Sequence, residues 1–236
     1  MKKTICIFTA CMAMGSSAGL AAPANASYEP GKVTVDLAME LSPSFNTDSA
    51  TSAIKHDGES QFKGGATVGL GHDFALQYQY SKNKMKEVVA RGANNSGTET
   101  DNGEVTSNEI NVLYKVSPNL SAYIGNQHVN GSMNFDFVFD DPANGSIHTA
   151  IGSAKNYAQA GVIVQQALSK QLTGWASVGV GPDLTDYKIG LAYKIDKNVD
   201  FDVYYNDTTY RSFANYAGTD YDMKLKGLNM GVSLKF

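Results

Sequence analysis

The chain has 236 residues, 19 of them basic and 23 acidic, for a formal net charge of −4. Charge so mild and so dispersed offers a nucleic-acid backbone no basic patch to bind. No run of roughly 18 apolar residues exists that would cross a bilayer as a helix. Both cysteines, Cys6 and Cys11, precede residue 27, so the rest of the chain can form neither disulfides nor cysteine metal sites.

The chain opens with Lys2 and Lys3, a short apolar run over Thr4–Met14, and a small-residue stretch ending in Ala24-Asn25-Ala26. This is the layout of a cleaved signal peptide, with cleavage expected after residue 26. Acylation at Cys11 is the alternative, but it would leave an apolar region of only about seven residues, the bottom of the signal range. Removal of residues 1–26 takes two lysines and no carboxylate with it, which leaves residues 27–236 more acidic still.

From Val33 onward the hydrophobic period is two, as in strands with one apolar face. Val33, Val35, Leu37, Met39 and Leu41 alternate with polar or small residues. The pattern returns over Ala66–Leu70, Phe74–Ser81, Glu109–Val116, Leu120–Ile124, Ala158–Leu168, Leu172–Val180, Tyr187–Ile195, Val199–Asn206 and Leu228–Phe236. Together these predict ten strands.

The links between them are of two kinds. Four join flanking apolar residues through three turn residues: Leu70-Gly-His-Asp-Phe74, Val116-Ser-Pro-Asn-Leu120, Leu168-Ser-Lys-Gln-Leu172 and Ile195-Asp-Lys-Asn-Val199. Such loops keep both flanking residues on one face, with the left-handed backbone expected at Asp73, Asn119 and Asn198. The others, about 42–63, 84–107, 131–155 and 207–221, are long and polar, apart from a short link at Pro182-Asp183. Short and long links alternate, so both termini fall at the short-turn end. Aromatics gather at strand ends (Tyr78, Tyr80, Tyr114, Tyr187, Tyr193, Tyr205), as at an interface.

The signal segment, the alternating strands, the turn and loop asymmetry and the final Phe236 together resemble the small bacterial outer-membrane β-barrel class. The fold expected is all-β, a closed antiparallel transmembrane barrel of about ten strands with short periplasmic turns and longer outer loops. Closure follows because lipid cannot satisfy an open sheet edge. The resemblance implies both termini in the periplasm, outer-membrane lipid as surroundings, and Phe236 as the signal read by the barrel-assembly machinery.

Strand parity sends a mixed set of charges into the lumen: Asp36, Lys115, Lys194, Asp200, Asp202 and Lys235 near the turn end, and Glu40, Glu109 and Lys188 nearer the loops. Lys194 is expected opposite Asp200 as a cross-strand ion pair. Inward glycines thin this filling, which points to a narrow porin-like channel for small polar solutes. The alternatives are surface recognition or adhesion through the loops, or a purely structural barrel.

For recognition the candidates are Phe135, Phe137 and Phe139, alternating with polar residues in a stretch expected to extend one strand into a hairpin turning at Pro142–Gly145. Arg211, among Tyr210, Phe213, Tyr216 and Tyr221, is a further candidate. His56, His128 and His148 fall in or near loops without the spacing of a known hydrolase site, and the acidic residues lack a Ca²⁺-loop spacing. No catalytic residue, metal or cofactor is expected.

Overall fold

The computed structural model describes residues 26–48, 53–91, 96–216 and 219–236. All but one residue of the expected signal segment lie outside them. The strands are β1 (Val33–Asp48), β2 (Ala53–Asp57), β3 (Gln61–Gly71), β4 (Phe74–Lys84), β5 (Val88–Arg91), β6 (Gly97–Ser117), β7 (Leu120–Phe139), β8 (Ser146–Ala167), β9 (Leu172–Val180), β10 (Leu184–Asp196), β11 (Val199–Tyr216) and β12 (Thr219–Lys235).

Every pairing is antiparallel, and β12 returns to β1 with Thr34 opposite Lys235, so the sheet closes on itself. Ten strands run as full staves. The short β2 pairs only with the far end of β1, and β5 only with the start of β6. They carry staves β3 and β4 onward after a break, where Gly58 bridges Met85.

The wall is lopsided. The nine residues of β9 rise roughly 23 Å along a barrel tilted by about 40°, close to the apolar band of a membrane barrel. The 22 residues of β8 rise roughly 55 Å. The stretches 84–107, 131–155 and 207–221 are therefore mostly ladder, not loop. The β7–β8 hairpin forms where it was expected, turning through a 3₁₀ turn at Pro142–Asn144 that Asp141 caps from its side chain to Ala143 N at 3.0 Å. Of the three turn residues expected to be left-handed, Asp73 is (φ 64°), whereas Asn119 and Asn198 are not.

Why strand continues past the apolar belt is visible along β7. In its first part, Ile124 faces outward and Tyr123 and Gln127 face inward; farther on, His128 and Asn130 face outward while Val129 is fully buried inside. The apolar face thus switches sides. The same occurs on β12, where Leu228 and Met230 are exposed outward but Met223 and Leu225 are buried inside. A strand in lipid puts its apolar face out, and a strand in water puts it in. On β1 and β11 a bulge helps, with Ser42 and Ser212 both at φ 47° and the register slipping beside each. One extra residue reverses the facing of all that follow. On β1 that single extra residue turns Phe45 into the interior; β11 gains two residues between Tyr210 and Ala214, and Phe213 within that bulge is buried inside.

Candidate functional site

The lumen is built in three layers. At the turn end, register places Asp36 and Asp200 on either side of Ser233, with Asp202 beside them accepting from Ser233 Oγ at 3.1 Å. Asp200 makes an ion pair with Lys235. Residues 26–30 enter this end: Tyr28 donates its hydroxyl to Ser121 Oγ at 2.7 Å, and Ala26 and Tyr28 pack on buried Ala75, Leu113, Tyr123 and Ile163.

The middle layer is polar and closely bonded. Lys63 reaches Glu40 at 2.9 Å, and Lys188 reaches Asp186 at 3.0 Å. Glu109 accepts from Asn111 at 2.6 Å, Gln159 at 2.6 Å and Gln127 at 3.2 Å. Each of these buried carboxylates has a cation or amide donors against it, which offsets much of the cost of holding charge in a low-dielectric interior. The space left among these side chains is a cavity of about 30 Å³. That holds a water or two. Inward glycines do not thin the layer as expected, because bulky neighbours use the room. A methyl on Gly161 would overlap the Tyr123 ring, one on Gly179 its hydroxyl, and one on Gly227 the Glu40 carboxylate.

The third layer, toward the loops, is apolar. Phe45, Val105, Val129, Tyr157, Leu184, Tyr210, Phe213 and Leu225 are among one buried cluster. Tyr210 stacks near Tyr157, ring centroids 5.1 Å apart. Above it opens a second cavity of about 340 Å³ between the tall wall β6–β8 and the tip of the β11–β12 hairpin.

The expected lumen residues divide accordingly. Asp36, Glu40, Glu109, Asp200 and Asp202 are buried inside, and Lys188 is nearly so. Lys115 and Lys235 are half-exposed at the turn end, and Lys194 is exposed there. Lys194 does stand opposite Asp200 in register, but Lys235, from the neighbouring strand, takes that carboxylate. Lys63, Gln79, Gln127, Gln159 and Asp186 complete the interior and escaped the sequence reading. Parity alone reaches Asp186, two residues from Lys188 on the same face; Lys63 lay in a stretch read as loop.

Phe135, Phe137 and Phe139 share the inward face of β7, continuing the line of Val129 and Met133, and Phe135 lines the upper cavity. Phe137 and Phe139 meet edge to face with centroids 4.8 Å apart. Arg211 is not with them. It is exposed beside the short β9–β10 link, its backbone N donating to Asp183 O at 2.8 Å and its side chain to Thr185 at 3.3 Å. Tyr210 and Phe213, expected near it on the surface, are core residues.

Among the described residues, no group of three or more His, Cys, Asp or Glu is placed to hold a metal ion. His148 pairs with Asp136 across the exposed hairpin. Arg91 clasps Asp140 through two hydrogen bonds, at 2.8 and 2.5 Å, tying β5 to the tip of β7. Arg91 beside it holds the Asp140 carboxyl below the usual range. Burial pushes the Asp101 carboxyl up, the Glu99 charge adds to this, and His56 opposes it.

No protein-family model matches the chain, and no curated protein matches it in sequence. Solved structures do. The outer-membrane protease OmpT of Escherichia coli superposes with a TM-score of 0.56 at 10% identity, over 89% of this chain and 98% of that one. Ail of Yersinia pestis, solved with a heparin analogue, gives 0.46 at 10% identity over 87% and 98%. The toluene transporter TodX of Pseudomonas putida gives 0.48 at 8% identity over 93% and 95%. At such identities the likeness is one of fold. A closed antiparallel ring of ten staves, wrapped in an apolar belt and superposing on such a barrel end to end, gives this chain the fold of the outer-membrane β-barrels, with no specific member of that class as its match in sequence.

Proposed function

We propose that the protein acts by recognition at its long-loop end, on a barrel whose lumen does not conduct. The observation carrying this reading is the filled middle layer, where the cavity lined by Glu109 and Lys188 has a volume of about 30 Å³. A narrow solute pore, the first expectation from the sequence, needs a continuous water path through that layer. It would also have to pass the apolar cluster on one side and Tyr28 on the other. Buried hydrogen-bonded networks rigidify a core, and that is the role this reading gives Glu40, Glu109 and their partners.

In this reading the tall hairpin of β7 and β8 stands outside the cell and both termini lie in the periplasm. Phe236 closes the seam, its N donating to Val33 O at 2.8 Å while its ring is exposed at the belt edge. That position suits a residue read by the assembly machinery. The test is conductance of the refolded chain, residues 27–236, in planar bilayers. No ion steps above background are expected; reproducible steps would overturn the sealed-lumen reading.

A further inference from the structure

The upper cavity is unlike the rest of the interior. Its floor is the top of the apolar cluster, Phe45, Met85, Val105 and Met223, and its walls carry Met133, Phe135 and Ile151. Protein interiors are close-packed, yet here about 340 Å³ stands open against apolar side chains. That is more than twice the roughly 150 Å³ apolar cavity that suffices to bind benzene, and it falls within the range of small-molecule pockets. Three of the five methionines beyond the signal segment line it. Methionine is the side chain best able to mould to varied apolar ligands.

The pocket is bounded on one side by a seam. β9 ends at Val180 and pairs with β8 only from Ala160 onward, so residues 146–159 of β8 have no strand beside them on that side. β10 begins at Leu184, opposite Tyr210, so β11 beyond Tyr210 is likewise unaccompanied. The two edges face each other above the β9–β10 link, joined by the Ser153 hydroxyl to Phe213 O and the Lys155 ammonium to Ser212 O. Ser153, Phe213 and Ala214 of this seam line the pocket. The link lies where the outward face changes from apolar Val180, Tyr187 and Tyr205 to polar Asp207 and Lys226. The seam therefore lies at the level of the membrane interface.

Charge selects among the molecules that collect at an interface. Two acidic residues, Glu99 and Asp222, are in the pocket lining and no lysine or arginine is. Asp222 accepts from Ser212 N through Oδ1 at 2.8 Å, which makes Glu99 the leading charge, and Lys155, at the seam, has its ammonium on Ser212 O. An anion would meet like charge, whereas an ammonium group is attracted. We propose that this pocket binds a compact hydrophobic amine, its apolar body against Phe45, Met133 and Ile151 and its ammonium toward Glu99 and Asp222. The floor is closed, so the site holds its ligand and does not pass it on. This rests on the recognition reading and names its ligand class.

The test uses residues 27–236 in lipid nanodiscs, with 1-naphthylmethylamine and 1-naphthoic acid as probes and empty nanodiscs as the blank. Saturable binding of the amine is expected, at least tenfold tighter than the acid. Ile151→Trp, which fills the cavity, is expected to abolish it while heat-modifiable migration shows the barrel still folded. Glu99→Lys, at a partly exposed position, is expected to remove or invert the preference for the amine. Failure of both probes to saturate above the blank, undiminished binding by folded Ile151→Trp, or tighter binding of the acid would each overturn the proposal. None of these outcomes bears on conductance, so the recognition reading stands or falls separately.

Discussion

The two halves of this barrel are built to opposite rules. In the belt half, Ile124, Ile189 and Leu228 face out and Gln127, Asp186 and Asn229 face in. In the loop half, on the same strands, Asn130 and Lys226 face out and Val129 and Leu225 face in. On β7 and β12 the ladder runs through that boundary without a bulge in either strand. What changes is the solvent outside, lipid below and water above, and with it the face that gains from being apolar. The halves also differ in what fills them. The belt half is locked by hydrogen bonds and ion pairs, while the loop half is held by hydrophobic contact and keeps a cavity.

The largest effect expected from testing this contrast is in the polar layer. Lys63→Met would leave Glu40, 1% exposed, as a buried charge without its cation, a change that typically costs about 3–5 kcal/mol. Reversible urea unfolding from vesicles measures it. A loss under about 1 kcal/mol would mean that water reaches Glu40 and that the layer is looser than its bonds suggest.

The outward faces give the next test, on a single strand. Ile124→Arg puts a charge into lipid and is expected to cost about 2–4 kcal/mol if it lies near the midplane. Asn130→Arg, six residues farther along the same face, is expected to change stability by less than about 0.5 kcal/mol, as surface substitutions do. Equal costs would show that the boundary between lipid and water lies elsewhere.

The smallest effect concerns the tip. Arg91 lowers the Asp140 carboxyl from its ordinary value, so the pair's contribution is present above the unfolded value of roughly 3.9. It is lost as pH falls through the lower, folded value. Hydrogen exchange over Val88–Arg91 is expected to quicken below about pH 4 in the native protein and to show no such step in Asp140→Asn. An unchanged profile in both would remove the pair from the account of how β5 is held.

Much of this was legible in the residues because lipid enforces a simple code. Leu228, Met230, Val232 and Leu234 can alternate without interruption only where one solvent lies along the whole stretch, and the ten belt strands follow from such runs. The short turns were placed correctly for the same reason. The loop half was misread as polar loop because its code inverts partway along each strand. Leu225 and Met223 then fall on the face that had been polar, so the run of alternation is broken where it has only changed sides. The bulge at Ser212 carries no local signal that would separate it from any other serine in a strand, whereas the one at Ser42 is marked by Pro43, since proline inside a strand is confined to edges and bulges.

By itself, then, the sequence determined the belt: strand number, antiparallel closure and the inward carboxylates Asp36, Glu40, Glu109, Asp200 and Asp202, all consequences of one-residue alternation against lipid. Only the tertiary structure decided which partner each charge takes, as when Lys235 claims Asp200 from Lys194, because partners come from neighbouring strands whose heights are set by register. It also decided that Tyr123 and Glu40 fill the space over their glycines, and that Phe45, Met133, Ile151 and Phe213 from four different strands surround one cavity. Volume is shared among residues far apart in the chain, and no local pattern records it.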